Sequence, residues 1–111
     1  MNYQLQPLIR GNRWSWLVGF EIPDFDWTGV AVASQIRARD GRLVLDLAAT
    51  SRITTSLEEG VYKILLDVPG TVTALWTGML TGDIRVSRSS PAFGPYTPVS
   101  FEFEVRSPAT R

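Results

Sequence analysis

The sequence predicts an all-β fold: an immunoglobulin-like antiparallel β-sandwich of about seven to eight short strands, built as one domain over residues 1–111. Three observations carry this. Apolar and polar residues alternate at period two along most of the chain, as half-buried strands do. Turn formers recur about every 8–12 residues, the spacing of sandwiches and barrels. No stretch sustains the apolar period of a helix long enough to matter. A small closed barrel fits the same pattern.

Taken in order, Trp14, Trp16, Val18, Phe20 and Ile22 share one face of a first strand, with Ser15, Gly19 and Glu21 opposite. Pro23-Asp24-Phe25-Asp26 breaks it, because proline fixes φ and aspartate favours turns. Val30 to Arg39 follows, with Val30, Val32 and Ile36 on one face and Gln35, Arg37 and Arg39 on the opposite one. Asp40-Gly41 is a hairpin signal leading into Leu43, Leu45 and Leu47. A short strand is expected around Ile53, then a loop, with Glu58-Glu59 open to a helical turn before Gly60. Val61 to Val68 reads as a nearly continuous apolar strand, and Pro69-Gly70 turns it back into an antiparallel strand over Val72–Trp76. Gly78 to Arg88 carries Ile84 and Val86 on one face. Ser89 to Pro98 holds three prolines and is expected to be a loop. The closing strand places Val99, Phe101, Phe103 and Val105 inward. Trp14, Trp16, Phe20, Val32, Ile36, Leu45, Ile64, Phe101 and Phe103 are the expected shared core. Met1–Asn2 and Ser107–Arg111 read as loose ends.

Composition narrows the chemistry. At 44% hydrophobic and 20% charged, the chain has the apolar content of a folded domain. No apolar run approaches a membrane span and no leader is evident, so a soluble, unprocessed chain is expected. There is no cysteine, which removes disulfides and thiolate chemistry. There is no histidine, which removes the commonest general base and metal ligand. A paired-carboxylate or a Ser–Lys mechanism through Lys63 survives, yet the expectation is no enzyme, no cofactor and no metal. Eleven basic residues, all arginine but Lys63, balance eleven acidic ones. That neutrality argues against nucleic acid or an anionic membrane as partner.

The order Arg10-Gly11-Asn12, an aromatic strand from Trp14, Trp27-Thr28-Gly29, Gln35-Ile36-Arg37 and Asp40-Gly41-Arg42-Leu43 carries a resemblance. Gly60-Val61-Tyr62 and a closing Phe101–Val105 strand with Thr110-Arg111 extend it. The chain resembles small bacteriophage tail proteins, similar to the N-terminal domain of phage upper baseplate proteins. Asn12 stands where an aspartate is usual in that family, and Trp27 where an aliphatic residue is usual. The resemblance implies a non-enzymatic structural component of a virion, in the tail, baseplate or fibre attachment. It would contact other virion proteins, in multiple copies within a symmetric assembly. Two rivals stand beside it: a carbohydrate-binding β-sandwich in host recognition, and a capsid decoration protein.

Six residues are candidates for partner contact: Phe93, Tyr96, Trp27, Trp76, Arg37 and Arg39. Phe93 and Tyr96 sit among prolines that stiffen the segment and hold aromatics out of a sheet. Trp27 borders a turn and Trp76 a strand end, unlike Trp14 and Trp16 on the inward face. Arg37 and Arg39, with Arg42, flank the Asp40-Gly41 hairpin. Asp24 and Asp26 have the spacing of a calcium loop, but no third carboxylate follows at loop spacing and turn formation accounts for them better. Glu102 and Glu104 alternate with Phe101 and Phe103 and read as the solvent face of a strand.

Overall fold

A computed structural model describes residues 2–108, in which nine strands and one helical turn are formed. They are β1 (Asn2–Gln4), β2 (Leu8–Ile9), β3 (Trp14–Phe20), β4 (Ala31–Ala38) and β5 (Leu43–Asp46). Then come β6 (Ile53–Glu58), β7 (Val61–Val68), α1 (Gly70–Thr73), β8 (Gly78–Arg88) and β9 (Phe93–Arg106). The larger sheet runs β1-β9-β8-β4-β5, with β2 also beside β9, and the smaller runs β3-β7-β6. This is the strand order of an immunoglobulin sandwich with one extra edge strand on the larger sheet. The expected fold class holds.

The alternation that predicted the strands also sets the core. Trp14 to Phe20 face Val68 to Tyr62 across the β3–β7 ladder, and β7 alternates between buried and half-buried along its whole length. The inner faces of both sheets supply Trp14, Ile36, Ile64, Phe101 and Phe103, all buried as expected. Trp16, Phe20, Val32 and Leu45 pack against that core but stay partly exposed. Trp14 stacks on Phe103 at 5.2 Å and on Phe101 at 5.7 Å. Gly82 makes room for this stack, since a Cβ there would lie 2.3 Å from the Phe101 ring. Buried Ser34 donates from its hydroxyl to the Asp83 carbonyl at 2.6 Å.

Several expectations are corrected. The sandwich is not wholly antiparallel, because β1 and β2 run parallel to β9. Asn2 is therefore no loose end: it pairs with Ser100, and Ser107 accepts from Arg10 at 3.3 Å. Thr110-Arg111 lies outside the described residues. The segment 53–58 is a full edge strand rather than a short one followed by a loop, closed by Glu59 and Gly60, both at positive φ. Val72–Trp76 is no strand either. Pro69 starts a helical turn whose Thr73 hydroxyl donates to the Asn12 carbonyl at 2.7 Å and accepts the Gly11 N–H. The turn docks closely enough that a Cβ on Gly70 would meet the Gly11 carbonyl oxygen at 2.2 Å.

The last correction concerns the proline-rich segment. Ser89 to Ala92 form the turn of the β8–β9 hairpin, as a loop would, but Phe93 to Pro98 are the first part of β9, paired with β8 through Arg88↔Phe93 and Val86↔Tyr96. Prolines are tolerated because β1 joins β9 only from Ser100, so Pro95 and Pro98 lie where β9 is still an edge. Gly94, at φ +75°, lets the strand shift register; a Cβ would come within 2.6 Å of the Val86 carbonyl.

Candidate functional site at the aromatic end of the sandwich

The β3–β4 loop and the β8–β9 hairpin meet at one end of the sandwich, as the register Ala31↔Ser87 requires. There the aromatic residues of separate segments converge. Phe25 lies 4.5 Å from Trp27 and 5.0 Å from Phe93, ring centre to ring centre. Phe93 continues to Tyr96 at 4.9 Å. Beneath them Trp27 stacks on Tyr62 of β7 at 4.3 Å with the rings 3° from parallel. The cluster thus grades from a buried base to an exposed rim, with Trp27 buried and Tyr96 58% exposed.

Arg88 ties the two segments together. Its Nη1 donates to the Asp26 carbonyl at 2.5 Å, and its Nε to the Pro91 carbonyl at 2.9 Å. Its guanidinium carbon also stands 5.5 Å from the Phe25 ring centre and 5.7 Å from that of Phe93. One planar cation therefore serves two carbonyls and two ring faces, which the arginine fork suits and a lysine ammonium does not. The loop holds its shape by local bonds. The Asp26 carboxylate accepts the Thr28 N–H at 2.9 Å, and the Val30 N–H closes on the Trp27 carbonyl at 3.2 Å. The backbone and side-chain hydrogen bonds from Thr28, with the charge of Arg88 adding less, keep the Asp26 carboxyl below its ordinary range. Asp26 is a turn former, and among the described residues no three acidic, histidine or cysteine side chains gather as a metal site would need.

Of the six candidate contact residues, the structure brings three together here. Phe93 is half-buried against Phe25, Tyr96 projects, and Trp27 lies underneath. Trp27, only 8% exposed, is a support and not a contact surface. The turn beside it aims the indole inward, because Asp26 and Gly29, at φ +78°, reverse the chain around it. Trp76 is corrected in the same way. At 3% exposed it is a core residue at the other end, edge-on to Trp14 at 6.3 Å, delivered there by the α1 turn.

Arg37 and Arg39 also belong to the far end, since Ala38 pairs with Leu80 at the opposite limit of the β4–β8 ladder. Arg37 braces the β4–β5 hairpin by donating to the Gly41 carbonyl at 2.9 Å and to Gln35 at 2.7 Å. It lines a shallow groove of ≈ 580 Å³ on the outer face of the larger sheet, with Asp83, Ser100 and Glu102. Arg39 is exposed and does not line the groove. Sequence reading missed Phe25 and Arg88. Phe25 was visible as a large ring inside a turn; Arg88 acts across 62 residues to Asp26 and carries no local signal.

Comparison with known proteins adds little to this geometry. No family model and no curated protein matches the chain. One solved structure it resembles is that of the NK cell receptor Nkp44, described as a triggering partner in natural cytotoxicity. The match covers 97% of this chain and 99% of that one at 16% identity, with a TM-score of 0.37.

Proposed function

We propose that this chain is a non-enzymatic binding module that works through protein–protein contacts, and that its place is a bacteriophage virion, at the tail, baseplate or fibre attachment. The observation that carries the contact role is the graded aromatic end. Tyr96 stands on a strand stiffened by Pro95 and Pro98, backed by Phe93, Phe25 and Arg88. Aromatic and arginine side chains already ordered before docking are the residues that make interface hot spots, because little freedom remains to be lost. The virion placement rests on the ordered motifs from Arg10 through Val105 that resemble phage tail proteins. Other virion subunits, present in symmetric copies, are then the partners.

The carbohydrate-binding alternative needs exposed tryptophans, and Trp27 and Trp76 are both buried, so Tyr96 and the less exposed Tyr3 would have to serve as platforms. A capsid decoration role shares the same mechanism and differs only in position. A photo-crosslinking residue in place of Tyr96, carried through particle assembly, tests the proposal. Crosslinks to a tail or baseplate subunit are expected. Absence of the chain from purified particles would defeat the placement, and crosslinks to glycan alone would defeat the contact role.

A further inference from the structure

The two sheets end very differently at their free edges. On β5, Leu45 and Leu47 turn their backbone groups toward β4, as the Leu47 N–H bond to the Ser34 carbonyl fixes. The free side is left with Val44 and Asp46, and the Asp46 carbonyl is taken by both the Thr50 N–H and the Thr50 hydroxyl. On the far side of the larger sheet, Pro7 interrupts the chain between β1 and β2. Natural sheets blunt their edges in these ways, with short strands, proline and capping loops.

The β6 edge has no such device. It runs six residues, Ile53 to Glu58, with no proline or lysine, and among the described residues no strand lies beyond it. Its hydrogen-bonding phase is fixed. The Asp67 N–H donates to the Arg52 carbonyl, so Arg52, Thr54, Ser56 and Glu58 point their backbone groups at β7. Ile53, Thr55 and Leu57 therefore turn theirs to the open side. Leu57, 57% exposed, leaves apolar surface there as well.

We propose that the β6 edge pairs with the β6 edge of a second copy of this chain, antiparallel about a two-fold axis at Thr55, joining two three-stranded sheets into one of six. The strand is complementary to itself in that register. Thr55 faces Thr55, Ile53 faces Leu57, and Thr54 faces Ser56, each pair on one face. Arg52 faces Glu58 twice over on the outer face, where Glu58 already accepts from Lys63 of its own protomer at 3.1 Å, so each cross-strand pair would extend an existing ion pair. The phase agrees too: the paired residues Ile53, Thr55 and Leu57 are those with outward backbone groups, so both strands exchange bonds without sliding. A one-residue slip would oppose inner to outer faces and lose both the apolar and the charge match. The edge approaches the aromatic end at Leu57, which pairs with Tyr62 beneath Trp27, but its two-fold centre at Thr55 shares no residue with the Phe93–Tyr96 rim, so either can fail alone.

The chain has no cysteine, which makes the test direct. At the two-fold position the Thr55 Cα atoms would lie about 5.5 Å apart, within disulfide reach, whereas two Thr54 residues would be about 7–8 Å apart. Under mild oxidation of the full chain, Thr55→Cys should crosslink efficiently and Thr54→Cys poorly. Sedimentation of the unmodified chain should give a mass that doubles with concentration. Thr55→Pro, which removes an N–H unused within the protomer, should leave it single. Glu58→Arg, should the proline variant not fold, places like charges opposite and should weaken dimerisation roughly tenfold. A chain that stays single at every concentration, equal crosslinking at both cysteine positions, or a dimer unaffected in folded Thr55→Pro or in Glu58→Arg would each overturn the proposal.

Discussion

Two aromatic clusters in this molecule use the same side chains for opposite ends. The interior one joins Trp14, Trp76, Phe101 and Phe103, with Trp14 and Phe103 stacked at 5.2 Å between the two sheets. The end cluster joins Phe25, Trp27, Phe93 and Tyr96, held by loops and by one arginine. In the first, strand register fixes Trp14, Phe101 and Phe103 and the docked α1 turn fixes Trp76, so each is buried and none is available. In the second, hydrogen bonds to Asp26 and Pro91 fix the segments while the outer ring stays in water. Burial against sheets yields stability; support from loops yields a surface.

The sharpest separation comes from Trp14→Ala. Truncating a large aromatic at the centre of a core costs about 3–5 kcal/mol, through lost burial and the cavity left behind. Chemical denaturation should show that loss, with Trp16→Ala losing less because Trp16 is only partly buried. Near-equal losses would mean that the two sheets do not meet where the rings place them.

Arg88→Ala should cost less, about 1–3 kcal/mol, since it removes two hydrogen bonds from a charged donor and two ring contacts at a half-buried site. The effect should be local. Amide exchange should accelerate at Thr28 and Val30 while the β3–β7 ladder keeps its protection. Arg88→Lys should rescue little, because an ammonium cannot serve both carbonyls and both rings. Loss of protection spread evenly over both sheets would show that the end cluster is not a separate unit.

The contrast also explains what could be read from the chain in advance. Period-two alternation marks which side of a strand meets the core, so Trp14, Ile36, Ile64, Phe101 and Phe103 were legible. Trp27 and Trp76 were not, because burial next to a turn depends on where the turn aims the ring. For Trp27 that is set by the Asp26–Thr28 bond, and for Trp76 by the α1 turn docking through Thr73. Proline count misled for β9, since a strand with one open side can seat proline where the N–H would face away from the neighbouring strand. The partnership of Phe25, Arg88 and Phe93 was invisible for a simpler reason: it is made only when distant segments come together.

Tyr96→Ala should move stability by under about 0.5 kcal/mol, as exposed positions do, and weaken partner binding instead. Phe93→Ala should do both, since its ring packs on Phe25 from within the protomer and backs Tyr96 from below. Melting temperature and partner affinity measured on the two single variants check this. A larger stability loss for Tyr96→Ala than for Phe93→Ala would reverse the grading from base to rim.

The smallest expected difference is in acid. The Thr28 bonds lower the Asp26 carboxyl from its ordinary 3.8, so the folded loop prefers the ionised form. That preference contributes fully above 3.8 and is lost as pH falls through the lower folded value, where the unfolded chain binds more protons. Asp46, through the Ala49 N–H, and Asp67, through Arg13, are lowered in the same sense, so the sheets also weaken in acid. The interior cluster contains no titrating group of its own. Asp26→Asn keeps an acceptor for Thr28 and cannot lose it to protonation. Near-ultraviolet dichroism of the stacked Trp27–Tyr62 pair should therefore fade below 3.8 in the unmodified chain and fade less in the variant. The far-ultraviolet sheet signal should fall alike in both. If the aromatic signal fell alike as well, the end cluster would be held by its ring contacts alone and the carboxylate would have no part in ordering it.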